Sequence, residues 1–291
     1  MAFIPYSAPP TSDISPVIGE VNEETTWPPY NPRRKPGQTV YLITGANRGL
    51  GLALTTTLAL RPNTVVFACI RTFTPETTEI LTSLPVGQDS YVAPLKIDAT
   101  APLHAKQAVE VISRTHGYDH VDVVIANSGI SDYYGTAAET PLEALRTHFE
   151  VNTIGPLALF QAFLPLLLQS AHPRFVAMSS GAVSLGEMEH MPLMPVTAYG
   201  ASKAALNYIV RKIHFENPGV CSWVMSPGWV RTEMGHHGAE VVEMERAPVS
   251  LQQSVEAMIE KIDSATKEET SGTASRLMIL SVSGDENRSW S

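Results

Sequence analysis

The chain has 291 residues, 44% of them hydrophobic and 17% charged, with 20 basic against 29 acidic side chains and a formal net charge of −9. That length holds one large α/β domain or two small ones with an ample core, and the acidic balance offers no electrostatic footprint for a phosphate backbone, which sets nucleic-acid binding aside. Cys69 and Cys221 are too few for a disulfide framework or a metal cage and read as reduced core residues of a cytoplasmic protein.

Taken in order, residues 1–38 stand apart. They hold Pro5, Pro9, Pro10, Pro16, Pro28, Pro29, Pro32 and Pro36 without helical or alternating period, and prolines at that density remove backbone donors and keep a chain extended. The segment reads either as a disordered leader or as an arm anchored through Phe3, Ile4, Tyr6, Trp27 and Tyr30. Its opening, MAFIPYSAPP, lacks the basic region and apolar core of a secretory signal. From residue 39, short β-branched runs (TVYLIT, NTVVFACI, YVAPLKI, DVVIAN, RFVAMSS, VCSWVMS) alternate with stretches of helical spacing (LGLALTTTLAL, PLHAKQAVEVISRT, PLEALRTHFEVNT, YGASKAALNYIVRKIHF). Near-continuous apolar strands suit a sheet covered on both faces, and strand–helix alternation demands right-handed parallel crossovers. The predicted fold class is α/β, a single doubly wound parallel sheet over 39–283, closed by an apolar run at 277–282 and followed by a tail at 284–291. Ligands are expected at the carboxyl ends of the strands. The longest apolar run, 157–168, is interrupted by Gln161 and Pro165 and falls short of the roughly 20 residues of a membrane span, so no membrane association is expected.

The first strand run ends in Thr44-Gly45-Ala46-Asn47-Arg48-Gly49-Leu50-Gly51, with a helical stretch directly behind it. Gly45 suits a tight turn, Gly49 a close backbone approach to a pyrophosphate, and Gly51 close packing of helix on strand. Unpaired amides at the helix start would face the phosphates. Folds of this kind that select the unphosphorylated dinucleotide place a carboxylate after the second strand. Here that strand is followed by Arg71, and Arg48 lies inside the turn. Two guanidinium groups and no carboxylate suit a 2′-phosphate, so the expected cofactor is NADPH/NADP+.

Tyr199-Gly200-Ala201-Ser202-Lys203 opens a helical stretch, which puts Tyr199 and Lys203 one turn apart on one face. A phenol near its ordinary pKa of about 10 is a poor acid–base catalyst at neutrality. A neighbouring ammonium and an oxidised nicotinamide would favour phenolate and lower that value. Tyr199 is the expected general acid, giving a proton to a carbonyl oxygen as hydride arrives at carbon.

Together, TGANRGLG, IDAT at the third strand, ANSG at the fourth, YGASK and PGWVRT resemble the short-chain dehydrogenase/reductase family over roughly 39–283, and within it fungal ketoreductases of polyketide pathways. The resemblance implies that Lys203 holds the nicotinamide ribose and acidifies Tyr199, and that Asn152 anchors a water in a proton relay. It puts Asp98 at the adenine amino group, Asn127 beside the adenine ribose, and Leu50, Val230 and Thr232 at the pyrophosphate and the carboxamide. Asn47, Gly129 and Pro227 join the cofactor contacts through the same motifs. Taken alone, Asp98 and Asn127 read equally as turn or helix caps. Two departures stand out. The fourth-strand motif reads Ala126-Asn127-Ser128-Gly129 where the family has Asn-Asn-Ala-Gly, and Gly186 occupies the place, thirteen residues before the tyrosine, of the carbonyl-polarising serine. Ser180, nineteen residues before Tyr199, is the preferred replacement if six residues are inserted between them, with Ser179 and Ser184 in reserve.

Substrate contacts are expected from Tyr133 (beside Tyr134) after the fourth strand, from Met188, Met191 and Met194 in the inserted segment, and from Met234 in a lid-length stretch after Thr232. Methionine adapts to irregular apolar shapes, which points to a bulky, flat ketone, unless these methionines only fill loop cores. His236 and His237 lack partners at metal spacing, and no metal site is expected. The family implies a homodimer or homotetramer through the helices around 157–168 and after Lys203. The leading reading is an NADPH-dependent ketone reductase. The alternatives are an isomerase or cyclase on the same fold, or a non-catalytic NADP-binding regulator. If Arg71 grips a 2′-phosphate, Arg71→Asp shifts the preference from NADPH towards NADH in steady-state turnover; an unchanged preference would remove the assignment.

Overall fold

The computed structural model describes residues 35–190 and 194–276. Met191, the run 277–282, the tail 284–291 and most of the N-terminal segment, including its proposed anchors, lie outside the described residues.

The strands are β1 (Thr39–Thr44), β2 (Thr64–Ile70), β3 (Tyr91–Lys96), β4 (Val123–Ala126), β5 (Arg174–Met178), β6 (Cys221–Ser226) and β7 (Ala274–Arg276), all parallel, in the order β3-β2-β1-β4-β5-β6-β7. The helices between them are α1 (Gly49–Ala59), α2 (Pro75–Thr82), α3 (Pro102–Arg114), α4 (Leu142–Phe149), α5 (Gly155–Leu167), α6 (Thr197–Glu216), α7 (Glu233–Val241) and α8 (Leu251–Ser264). The first six strands fall on the six runs read from the sequence. Their β-branched residues are buried on both faces because helices cover both. Along β1, Val40 and Leu42 join one core layer with α3, α5 and α6, while Tyr41 and Ile43 join the other with α1, α2 and α8. Each fully buried Leu, Ile or Phe contributes about 1.5–3 kcal/mol, so these two layers hold the sheet between them. The strand order reverses at β1, whose neighbours are β2 and β4, and a crevice opens there between the strand ends, lined by Thr44, Asp98, Ala126 and Ser128.

Three elements depart from the sequence reading. Residues 142–167 form one continuous 26-residue helix, in which α4 and α5 are joined by a widened π turn, Glu150–Ile154, and Pro165 lies inside α5. By length and apolarity it could cross a membrane, so the interruption expected at Gln161 and Pro165 does not occur. Half of its most apolar window is nonetheless buried in the fold, which is the packing of a core helix. The stretch after Thr232 is a nine-residue helix, α7, capped by the Thr232 hydroxyl, which accepts from the Gly235 amide. Helix α8 starts in a capping box between Ser250 and Gln253 and buries Val255, Met258, Ile259 and Ile262.

The junction of β1 and α1 is the tightest backbone contact in the first crossover. Gly45 turns with φ +67°, and a Cβ on Gly51 would lie 2.1 Å from the Gly45 carbonyl oxygen. Because the obstacle is backbone, it cannot rotate away. Gly51→Ala is expected to destabilise the fold by about 3 kcal/mol, the upper end for overpacking, measured as a shift of the urea midpoint at constant slope.

Candidate active site

The carboxyl ends of β1 to β6, with the start of α6, carry the residues singled out by the motifs. At β1, Arg48 is the extended residue before α1. No side chain caps that helix and its first turn has no acidic residue, so its leading amides are left for an anion. Gly49 turns with φ +54°, and a Cβ there would meet only Thr232, whose methyl carbon lies 3.6 Å away. The glycine turn and the start of α7 therefore face one another, and Arg48 pairs with Glu233 in the first turn of α7. Asn47 and Leu50 are half-buried within the turn, and Arg71 is exposed at the end of β2. A narrow, glycine-lined cradle with free amides and two cations beside it fits a dinucleotide phosphate.

Asp98 and Asn127 both make local bonds. The Asp98 carboxylate accepts from the amide and hydroxyl of Thr100 at 2.9 and 2.8 Å. Burial opposes its ionisation, but those two bonds and the nearby Arg71 bring its pKa below the usual carboxylate value. The Asn127 side chain donates to the Thr44 carbonyl at 2.8 Å, while the amides of Asn127 and Ser128 both donate to the Thr44 hydroxyl at 3.0 Å. The ends of β1 and β4 are stitched together in this way. After β6, Pro227 accepts from Ser254 at 2.8 Å and Val230 bridges to Val249, which aims Thr232 at Gly49.

Lys203 is buried in α6, its ammonium donating to the Met178 carbonyl at the end of β5 at 2.7 Å. Burial brings it down to about 8. The ammonium stands 6.0 Å from the centroid of the Tyr199 ring. A Cβ on Gly129 would lie 3.3 Å from that ammonium and 3.1 Å from Asn152 Oδ1, so glycine lets the loop after β4 pass close over both. Asn152, in the π turn, is fully buried: its oxygen accepts from the Ile130 amide, and its NH2 donates to the Ile130 carbonyl and the Ser202 hydroxyl. Ser202 in turn donates to the Tyr199 carbonyl at 2.7 Å.

Two expectations change here. The Tyr199 phenol is pushed up to about 12 by desolvation, against a weaker lowering by its hydrogen bond with Ser180. Without the nicotinamide's charge, desolvation outweighs any lowering there, and the Lys203 ammonium stands back at 6.0 Å from the ring centroid. Tyr133 donates to the Glu139 carbonyl at 3.1 Å and packs on Gly135, so it serves the turn at 136–140, whereas Tyr134 is near enough to Tyr199 to bear on its ionisation. Position 133 or 134 could not be chosen from sequence, since adjacent tyrosines on a loop carry no periodicity. Of the three serines, Ser180 bonds with Tyr199 and Ser179 donates to Asn207 at 2.6 Å, while Ser184 is buried. Met188 and Met234 are 59% and 41% exposed, so they do not fill loop cores; Met194 is half-buried. His236 and His237 each reach Glu240, at 3.3 and 3.5 Å, and among the described residues no group of three His, Cys, Asp or Glu stands at metal spacing.

Residues 39–242 match the model of the short chain dehydrogenase family. The chain belongs to that family. It is 39% identical over 245 residues to a norsolorinic acid ketoreductase of Dothistroma septosporum, covering 84% of this chain and 91% of that one. With the norsolorinic acid ketoreductase of Aspergillus parasiticus it shares 37% identity over 259 residues, 88% and 94% of the two chains. Among solved structures it is similar to the NADPH-bound carbonyl reductase from chicken fatty liver, with a TM-score of 0.70, 28% identity and coverage of 82% and 96%.

The buried lysine of this dehydrogenase fold sets a pH dependence. Unfolded, Lys203 titrates near 10.4; folded, near 8. Between those values the unfolded chain holds a proton that the folded chain has released, so this group makes stability rise as pH climbs from about 8 to about 10.4. Lys203→Met should abolish that rise relative to wild type in urea midpoints taken from pH 7.5 to pH 9.5.

Proposed function

We propose that the protein is an NADPH-dependent carbonyl reductase that turns a bulky aromatic or polycyclic ketone of specialised metabolism into a secondary alcohol. The hydrogen bond between Ser180 and the Tyr199 phenol carries this reading, because a substrate oxygen placed there meets two donors at once. When bound, the reduced nicotinamide supplies hydride to the carbonyl carbon. Ser180 polarises the oxygen, and Tyr199 gives it a proton. Desolvation keeps that proton on Tyr199 through neutral pH, as reduction requires; oxidation would need the phenolate that the same burial disfavours. Lys203, with an ammonium that titrates near 8, returns the proton to the phenol. Asn152 fixes Ile130 and Ser202 around it, and the family relay would rest its water on this turn.

The cofactor would be held along Gly45, Asn47, Gly49, Leu50 and Gly51, with Asp98, Asn127, Gly129, Pro227, Val230 and Thr232 completing its contacts. Arg48 and Arg71 support a 2′-phosphate, Arg48 by exchanging Glu233 for it, and the chicken fatty-liver relative is NADPH-bound. The ketoreductase relatives support an aromatic polyketide-type ketone, as do the exposed side chains of Met188 and Met234. Exposed Tyr208 and Phe215 on α6 support pairing of two copies through that helix, and two free, buried cysteines support a reducing compartment.

Loss of nicotinamide absorbance with NADPH or NADH against a panel of polycyclic aromatic ketones tests this reading. Tyr199→Phe should lower kcat by a factor of about 10² to 10⁴, the range for a removed general acid, with NADPH binding retained, and Ser180→Ala should lose most activity. Tight NADPH binding with no ketone turned over would count against the reductase.

A further inference from the structure

The loop after β4 passes a buried histidine at Asp132 and is pinned at Gly135. Asp132 stands 3.3 Å from Nε2 of His148, a fully buried ring on α4 whose Nδ1 donates to the Ala144 carbonyl at 2.7 Å. Gly135 donates to the Pro195 carbonyl at 2.6 Å and bridges to Val196, the residue before α6. Beside this pin, Tyr134 sets its ring edge-on to His237 at 5.1 Å, and a Cβ on Gly238 would lie 3.2 Å from its hydroxyl, so glycine there eases a close approach to α7. A side chain fixed from its own loop and from α7 has the support that a binding group needs.

Tyr134 has no use for its own proton. Ser131 donates to the phenol oxygen at 3.3 Å, and among the described residues nothing accepts from the Tyr134 hydroxyl. The phenol is half-buried and near enough to Tyr199 to oppose that residue's ionisation. An apolar ring with one unspent donor, within electrostatic reach of the reacting hydroxyl, is suited to a flat ligand that carries an acceptor at one edge.

We infer that Tyr134, supported by Ser131, is a second anchor of the substrate site and donates to an oxygen of the ketone other than the one that Tyr199 protonates. This rests on the reductase reading and narrows it: the substrate is an aromatic ketone with a further acceptor oxygen, such as a hydroxyl or ether, on its ring system. Specificity then comes from a difference between two related ketones, since a site built to bond an oxygen loses affinity for the analogue without one.

Tyr134→Phe removes the hydroxyl and keeps the ring against His237 and Gly238. Wild type and variant are compared on 1-tetralone and on its ring-hydroxylated and methoxylated forms. In the variant, the ratio of kcat/KM for the best oxygenated tetralone over 1-tetralone should fall about tenfold, the loss of one hydrogen bond. Ser131→Ala should lower the same ratio about twofold, since it only supports the donor. A loosened loop would depress both ketones together and leave the ratio unchanged, and that result, or no change at all, overturns the anchor. Calorimetric titration of the same ketones into protein loaded with NADP+ separates this from the reductase reading. A preference for the oxygenated ketone that the variant loses, in a protein that reduces none of them, keeps the anchor and removes the reductase. Turnover with an unchanged ratio removes the anchor alone.

Discussion

Taking the Lys203 ammonium out of water costs free energy that one carbonyl, Met178 at 2.7 Å, offsets only in part, and much of the site is arranged around that charge. Helix α6 is held on the end of β5 by this bond. The loop after β4 crosses above it with glycine at position 129, and the Asn152 amide secures that loop from below. Tyr199, one turn earlier on α6, is thereby brought to Ser180 at the end of β5. The same burial that makes Lys203 a readily titrated group makes Tyr199 a reluctant one, so the two ends of one helical turn are displaced in opposite directions by one cause.

The first crossover imposes the other constraint. Gly51 seats α1 on the Gly45 carbonyl, and Gly49 leaves room for Thr232, so the phosphate cradle and the first turn of α7 form one continuous wall. Arg48 and Glu233 span it. Helix α7 also packs on Tyr134. Cofactor and substrate sides of the cleft are thus joined through a nine-residue helix, and neither can be reshaped without the other.

Much of this was legible in the sequence for physical reasons. Strands buried on both faces leave β-branched runs too apolar to be anything else, and the first six were readable for that reason. Tyr199 and Lys203 share a helical face by spacing alone. The glycine turn announced itself because backbone contacts at 2.1 Å admit no other residue. Ser180 was reachable only by allowing an insertion, since its pairing with Tyr199 is made in space and ignores the count of residues between them. Helix α7 was hidden because Gly235 and Gly238 argue against a helix, although they are what lets it lie on Val230 and Tyr134. Tyr134 and its neighbour Tyr133 differ only in which way a loop turns, and no pattern encodes that.

The π turn at Glu150–Ile154 sits in the middle of a helix that serves two masters. Upstream, α4 aims His148 at the loop after β4; downstream, α5 lays Leu159, Phe163 and Leu167 into the core. An extra residue accommodated in one turn acts as an angular offset, for each residue of a regular helix advances the azimuth by about 100°. Remove that residue and the two halves fall into phase, swinging His148 a quarter-turn or more away from Asp132 while the core face stays put. In this helix, a change of length is a change of direction.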